Sequence, residues 1–151
     1  MNLVAPLLDT QSVLINQSFA SKRKFFEHAA AQVERRHGLK AAAVYDNLLE
    51  RERLGSTALG QGVAVPHGRI KGLGGATGVF YRLQPPLDFD APDAQPVNLC
   101  FVLLVPSDAN ERHLQILGEL AQMLGDAALR RSLRDAPGAA DIYRIIAAWN
   151  P

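Results

Sequence analysis

At 151 residues, 48% of them apolar and 21% charged, the chain is sized and composed for one globular domain, which excludes a disordered segment. Sixteen Lys plus Arg against fifteen Asp plus Glu leave a formal net charge of +1, so no global field draws the protein to nucleic acid or to an anionic membrane. Its one cysteine, Cys100, cannot form an internal disulfide, and no apolar run approaches the roughly 18 residues of a membrane-spanning helix, which together indicate a soluble protein of the reducing cytoplasm.

Ser21 precedes KRKFFEHAAAQVERRHG, where Phe25, Phe26, Ala29, Ala30 and Val33 recur at helical spacing until Gly38 supplies a stop. The run Lys22, Arg23, Lys24 reads as a solvated face in the first turn of that helix. A second helix is predicted from about Lys40 to Leu54, with Val44, Tyr45 and Leu48 on one stripe and Gly55 at its end. Arg51 and Arg53 fall in its last turn. After the turn-rich GSTALGQG, Val63 to Val65 reads as a short strand ended by Pro66, because proline pushes its predecessor to extended geometry and donates no ladder hydrogen bond. His67 is then the first side chain off a strand end.

GLGGATG reads as a turn, VFYRL as a strand alternating at Val79, Tyr81 and Leu83, and QPPLDFDAPDAQP as a loop. Val97 to Val105 is apolar on both faces apart from Asn98, which predicts a central strand covered by helices on each side, with Cys100 buried in it as a small hydrophobe. Pro106 ends it. Asp108 followed three residues later by Glu111 reads as a capping box for a helix that carries Leu114, Leu117, Leu120, Ala121 and Leu124 on one face and His113 in its first turn. Two further helices, about Asp126 to Arg134 and Ala139 to Trp149, are separated by Gly138. Helices interleaved with strands predict an α/β fold, a single layered domain over residues 1–151 with a mixed, partly parallel sheet.

Two histidines share an address, since His67 and His113 each lie just beyond a proline that ends a predicted strand. If those strands are parallel neighbours, the two rings converge at the carboxyl edge of the sheet. Glycines on both sides of His67 let backbone N–H groups approach an anion, a helix N-terminus at His113 adds a positive dipole end, and Arg51 offers a planar clamp. A neutral imidazole in such a pocket is a nucleophile towards phosphorus, and the donors around it stabilise charge on a transferring phosphoryl group. His28 and His37, on the first helix, read as structural. There is no GxxxxGK[ST], G-x-S-x-G, HExxH or CxxC pattern, and GLGGATG has the wrong spacing for a dinucleotide loop, so no cofactor is implied. A metal held by His67, His113 and a carboxylate stays open as an alternative, although the sequence shows no third ligand.

The segment NLLERERLGSTALGQGVAVPHGR resembles the signature of the mannitol/fructose-type enzyme IIA domains of the bacterial phosphoenolpyruvate phosphotransferase system. Arg51-Glu52, Ser56-Thr57, Gly60, Gly62, Ala64 and Pro66-His67-Gly68 all fall in step, and NERHLQIL is similar to the family's second conserved block. The resemblance covers nearly the whole chain. It implies a mixed sheet of about five strands with helices on both faces and no cofactor. It further implies that His67 is the phosphoacceptor through Nε2, that Arg51 and His113 contact the phosphoryl group, that Ser56 and Thr57 shape the phosphate pocket with their backbone, and that Gly68 belongs to that pocket. RERLGSTALGQGVAVPHGRIKGL is most similar to the stand-alone nitrogen-regulatory enzyme IIA. Such proteins take phosphate from an HPr-like carrier called NPr and regulate partners, often of the potassium-transport or sensor-kinase type, according to phosphorylation state. Two rivals stay open: a sugar-specific IIA that feeds a fructose- or mannitol-type IIB, and a binding module that has lost the transfer step.

Overall fold

In the computed structural model, which describes residues 2–151, the locally encoded helices form where their caps stand. Ser21 Oγ accepts the Lys24 N–H at the start of α1 (Lys22–His37), and Gly38, at φ 72°, ends it in the left-handed conformation that glycine adopts without penalty. Phe25, Phe26, Ala29, Ala30 and Val33 are all buried. The helix α2 (Ala41–Arg53) follows, and a 3-10 turn (Ala5–Leu7) and β1 (Val13–Gln17) precede α1. The remaining elements are β2 (Ala58–Gly60), β3 (Val63–Ala64), β4 (His67–Ile70), β5 (Thr77–Leu87), β6 (Val97–Pro106), α3 (Glu111–Gly125), α4 (Ala127–Asp135) and α5 (Ala139–Ala148).

The sheet is mixed, in the order β1-β5-β6-β3-β2, with β4 also paired to β6. Parallel pairs join β1 to β5 and both β3 and β4 to β6, whereas β5–β6 and β2–β3 are antiparallel. Its six strands fit the expected sheet of about five, with Pro66 dividing one run into β3 and β4. The proline only interrupts the ladder: its carbonyl still accepts the Leu103 N–H at 2.9 Å, and β4 resumes on β6 in the register that β3 began. His67 therefore opens a strand; it does not follow the last one. Part of GSTALGQG is also strand, because Gln61 and Gly62, at φ 58° and 78°, turn β2 back on β3. Strand β5 runs on through Pro85 and Pro86 to Leu87, where the sequence predicts loop; the register shift between Arg82 and Leu87 takes the prolines out of the ladder.

Both faces of the sheet are apolar and covered, as the pattern of Val97–Val105 predicts. One face, with Val79, Tyr81, Cys100, Val102 and Leu104, packs on α1 and α2 through Phe25, Phe26, Val44 and Leu48. The other, with Val63, Val65, Phe80, Phe101 and Leu103, packs on α3, α4 and α5 through Ile116, Leu120, Leu133 and Ile142. Cys100 is fully buried in β6, which pushes its thiol pKa up and keeps it inert. In α3 Leu120 and Leu124 of the predicted stripe are buried and Leu117 packs against the same core, while Ile116 and Met123 complete the buried face and Leu114 and Ala121 are exposed. Its N-cap is Asn110, not Asp108, because the turn closed by Ala109 N–H to Pro106 O takes up Asp108 before the helix begins.

Lys22 departs from the solvated face expected of it. Its Nζ reaches Glu52 Oε2 at 3.1 Å, the Phe89 carbonyl at 3.2 Å and Asp90 Oδ2 at 3.4 Å, and lies over the Phe89 ring. Arg23 and Lys24 are exposed. His28 and His37 are structural: Nδ1 of the first pairs with Tyr81 Oη and Nε2 of the second with Thr77 Oγ1, both at 2.8 Å. Burial first, then a neighbouring arginine, lowers both pKa values below 6.5. Below pH 6.5 the unfolded chain thus binds more protons at these sites than the folded one, so acidification destabilises the fold. The urea midpoint is expected to fall between pH 7 and pH 5.5, and the double replacement His28→Gln, His37→Gln should flatten that fall.

Candidate functional site

Strand β4 puts successive side chains on opposite sides, His67 and Arg69 towards α3 and Gly68 towards α2. The hairpin strand β2 pairs only with β3, and β4 pairs only with β6, so the outer side of β4 is left uncovered by the sheet. A cavity of about 720 Å³ opens there between the end of α2 and the start of α3. His67, His113, Arg51 and Gly68 all line it, which brings together four residues that the sequence singles out from three separate elements.

His67 Nδ1 lies 2.7 Å from the Val65 carbonyl. A carbonyl only accepts, so Nδ1 carries the proton and the neutral ring keeps its lone pair on Nε2. The sequence could not select that nitrogen; the backbone two residues upstream does. Arg51, in the last turn of α2, donates from Nη1 to the Gly55 carbonyl at 2.9 Å, which anchors one edge of its guanidinium beside the cavity. His113 Nδ1 accepts the Asn110 N–H at 3.1 Å. The charge on the walls favours an anion: Arg51, Arg53 and Arg69 stand against the single carboxylate of Glu50, and the α3 N-terminus adds its dipole.

Gly68 has a steric duty. A Cβ there would sit 1.9 Å from Asn47 Oδ1, and Asn47 Nδ2 in turn donates to the Arg69 carbonyl, so the missing side chain lets α2 clamp β4. Gly68→Ala is expected to displace Asn47 and to cost about 1–3 kcal/mol of stability, readable as a lowered urea midpoint. Ser56 and Thr57 do not line the cavity. Their hydroxyls are engaged elsewhere, Ser56 Oγ donating to the Phe89 carbonyl at 2.7 Å and Thr57 Oγ1 to Glu52 Oε1 at 2.6 Å.

The sequence reading missed Asn47, Arg53, Arg69 and Asn110 on the cavity wall. Two had a signal, since Asn47 stands one helical turn before Arg51 and Arg69 two strand positions after His67. Leu54 and Leu114, 85% and 61% exposed, add an apolar rim. Among the described residues no group of three His, Cys, Asp or Glu side chains is placed to hold a metal ion, and no helix is long and apolar enough to cross a membrane.

Known proteins with this architecture are close in sequence. The chain is 42% identical over 134 residues to the nitrogen regulatory protein of Pseudomonas aeruginosa, covering 88% of this chain and 87% of that one. To the nitrogen regulatory protein of Bradyrhizobium diazoefficiens it is 39% identical over 146 residues, 97% and 93% of the two chains. The crystal structure of the nitrogen regulatory protein IIA-Ntr from Neisseria meningitidis superposes with a TM-score of 0.91 at 41% identity, covering 96% of this chain and 99% of that one. The mannitol IIA of Escherichia coli shares the fold at 20% identity and a TM-score of 0.77, over 92% and 98% of the two chains. The family description "Phosphoenolpyruvate-dependent sugar phosphotransferase system, EIIA 2" fits residues 6–149, and it is to this family that the chain belongs.

Proposed function

We propose that the protein is a phosphocarrier of the nitrogen-regulatory branch of this system, with His67 as the phosphoacceptor. The observation that carries the reading is the bond from His67 Nδ1 to the Val65 carbonyl, which leaves Nε2 bare beside a cationic cavity. In the transfer step, Nε2 attacks the phosphorus of a phosphohistidine on an HPr- or NPr-like carrier. A new N–P bond forms, the carrier's N–P bond breaks, and the carrier's imidazole leaves with the electron pair. Arg51 offsets charge on the equatorial oxygens and His113 donates a hydrogen bond to them. Ser56 and Thr57 contribute by fixing the loop that carries Gly55, the anchor of Arg51.

The apolar rim of Leu54 and Leu114 around a positive centre suits a protein donor better than a small phosphate ester. Relatives of about 40% identity named nitrogen regulatory protein support the regulatory role, in which the phosphorylation state selects cytoplasmic target proteins of the potassium-transport or sensor-kinase type. Phosphorylation adds about two negative charges to a chain of net charge +1, which alters partner choice without refolding.

A second reading, a sugar-specific IIA that passes phosphate to a IIB, draws support from 36% identity over 105 residues to the fructose-specific EIIA component of Haloferax volcanii. Incubation with phosphoenolpyruvate, enzyme I and an NPr-like carrier is expected to add one acid-labile phosphate to the intact mass. No gain with active donors overturns the phosphocarrier reading, and onward transfer to a purified fructose-type IIB with sugar phosphorylation decides for the second.

A further inference from the structure

The start of α3 holds His113 by a bond that decides which of its ring nitrogens can act. A capping box ordinarily places Glu or Gln at the third helical position, where an oxygen accepts the N–H of the cap residue. Here that position is His113, and the acceptor is an imidazole nitrogen. Asn110 closes the box from its side: its Oδ1 accepts the Arg112 N–H at 3.0 Å, and its own N–H donates to His113 Nδ1 at 3.1 Å. A ring nitrogen that accepts a hydrogen bond carries no proton, so the neutral His113 ring bears its proton on Nε2.

The two histidines of the cavity are thereby held in opposite tautomers by backbone groups alone. A carbonyl at Val65 leaves His67 Nε2 as a lone pair, and an N–H at Asn110 leaves His113 Nε2 as a donor. One ring is prepared to attack and the other to receive the oxygens that arrive with the phosphorus. The geometry points to Asn110 as a positioning residue, whose cap on α3 fixes His113 in its Nε2–H form as a neutral hydrogen-bond donor to the phosphoryl group on His67. This inference rests on the reading of His67 as phosphoacceptor.

The substituents a capping box accepts separate the two duties of His113. In His113→Gln, Oε1 can take the Asn110 N–H while the amide still donates, so phosphoryl uptake is expected to stay within about tenfold of wild type. His113→Glu caps equally well but offers no donor and brings a negative charge, so uptake should fall on the order of a hundredfold with the melting temperature kept. Asn110→Ala loosens the cap and should slow uptake on the order of tenfold, while Asn110→Asp, which restores an acceptor, should recover it.

The readout that separates positioning from mere stability is the side-chain ¹⁵N spectrum of His113 in the unphosphorylated protein at neutral pH. An Nε2–H pattern in wild type and Asn110→Asp, with a mixed pattern in Asn110→Ala, supports the assignment. An Nδ1–H pattern in a wild type that takes up phosphate normally overturns the positioning role alone, as does uptake by His113→Glu equal to that of His113→Gln. A wild type that takes up no phosphate overturns the reading of His67, and the donor role with it.

Discussion

His67→Ala is expected to gain no phosphate from phosphoenolpyruvate, enzyme I and an NPr-like carrier under conditions that fully phosphorylate wild type, and to keep its cooperative unfolding transition. The loss is complete because alanine supplies no imidazole lone pair, and His113, the other imidazole of the cavity, has its Nδ1 lone pair tied to Asn110. The fold loses only the bond to the Val65 carbonyl, worth about 1 kcal/mol at a half-buried site. The phosphate on wild type should reside on Nε2, as the Val65 bond dictates, which heteronuclear NMR of the phosphorylated ring distinguishes directly. Residual uptake by His67→Ala, or a phosphate on Nδ1, would contradict the assignment of the nucleophile.

The largest stability effect is expected not in the cavity but one residue from Arg51. Glu52, its side chain 4% exposed, accepts Lys22 Nζ at 3.1 Å, Thr57 Oγ1 at 2.6 Å and the Thr57 N–H at 3.2 and 3.3 Å. Glu52→Ala removes the acceptor that these donors share. Thr57 is buried and finds no replacement partner, whereas Lys22 is 21% exposed and retains Asp90 and the Phe89 carbonyl, so its share is discounted for solvent screening. The expected cost is about 2–4 kcal/mol, or roughly 5–15 °C in melting temperature for a domain of this size. Glu52→Gln, which keeps an acceptor for Thr57 but loses the charge facing Lys22, should fall between. A Glu52→Ala protein as stable as wild type would show that the loop after α2 is held by other contacts.

What the sequence made legible follows the range of the interactions involved. The cap at Ser21, the stop at Gly38 and the buried stripe of α1 are local, and each stands where it was read. Pro66 was misread because a strand that resumes at the very next residue depends on β6, more than thirty positions downstream. Strand β1 left no trace, since VLINQ mixes apolar and polar residues too briefly to show a period. Asp108 reads as the cap of α3 from its spacing to Glu111, and the turn back to Pro106 moves the cap to Asn110. At the site, His67, His113, Arg51 and Gly68 were legible from their residue types and punctuation. Asn47 was not, because its purpose appears only when α2 meets the bare backbone of Gly68. The hydroxyls of Ser56 and Thr57 bond to Phe89 and Glu52 and so hold the loop after α2, partners that no local pattern announces.

The unbroken register of β3 and β4 across Pro66 makes the chain from Val63 to His67 a ruler for the proposed nucleophile. Inserting one residue in that stretch turns His67 to the α2 side of the sheet, where Asn47 waits for a glycine. Inserting two keeps the face but carries the ring about 6–7 Å along the strand, away from Arg51 and His113. Lengthening the exposed segment 92–95 between β5 and β6 moves nothing in the cavity. The tolerance of this protein to insertions and deletions is thus set by where the sheet counts residues, and it counts them most strictly in the five that end at His67.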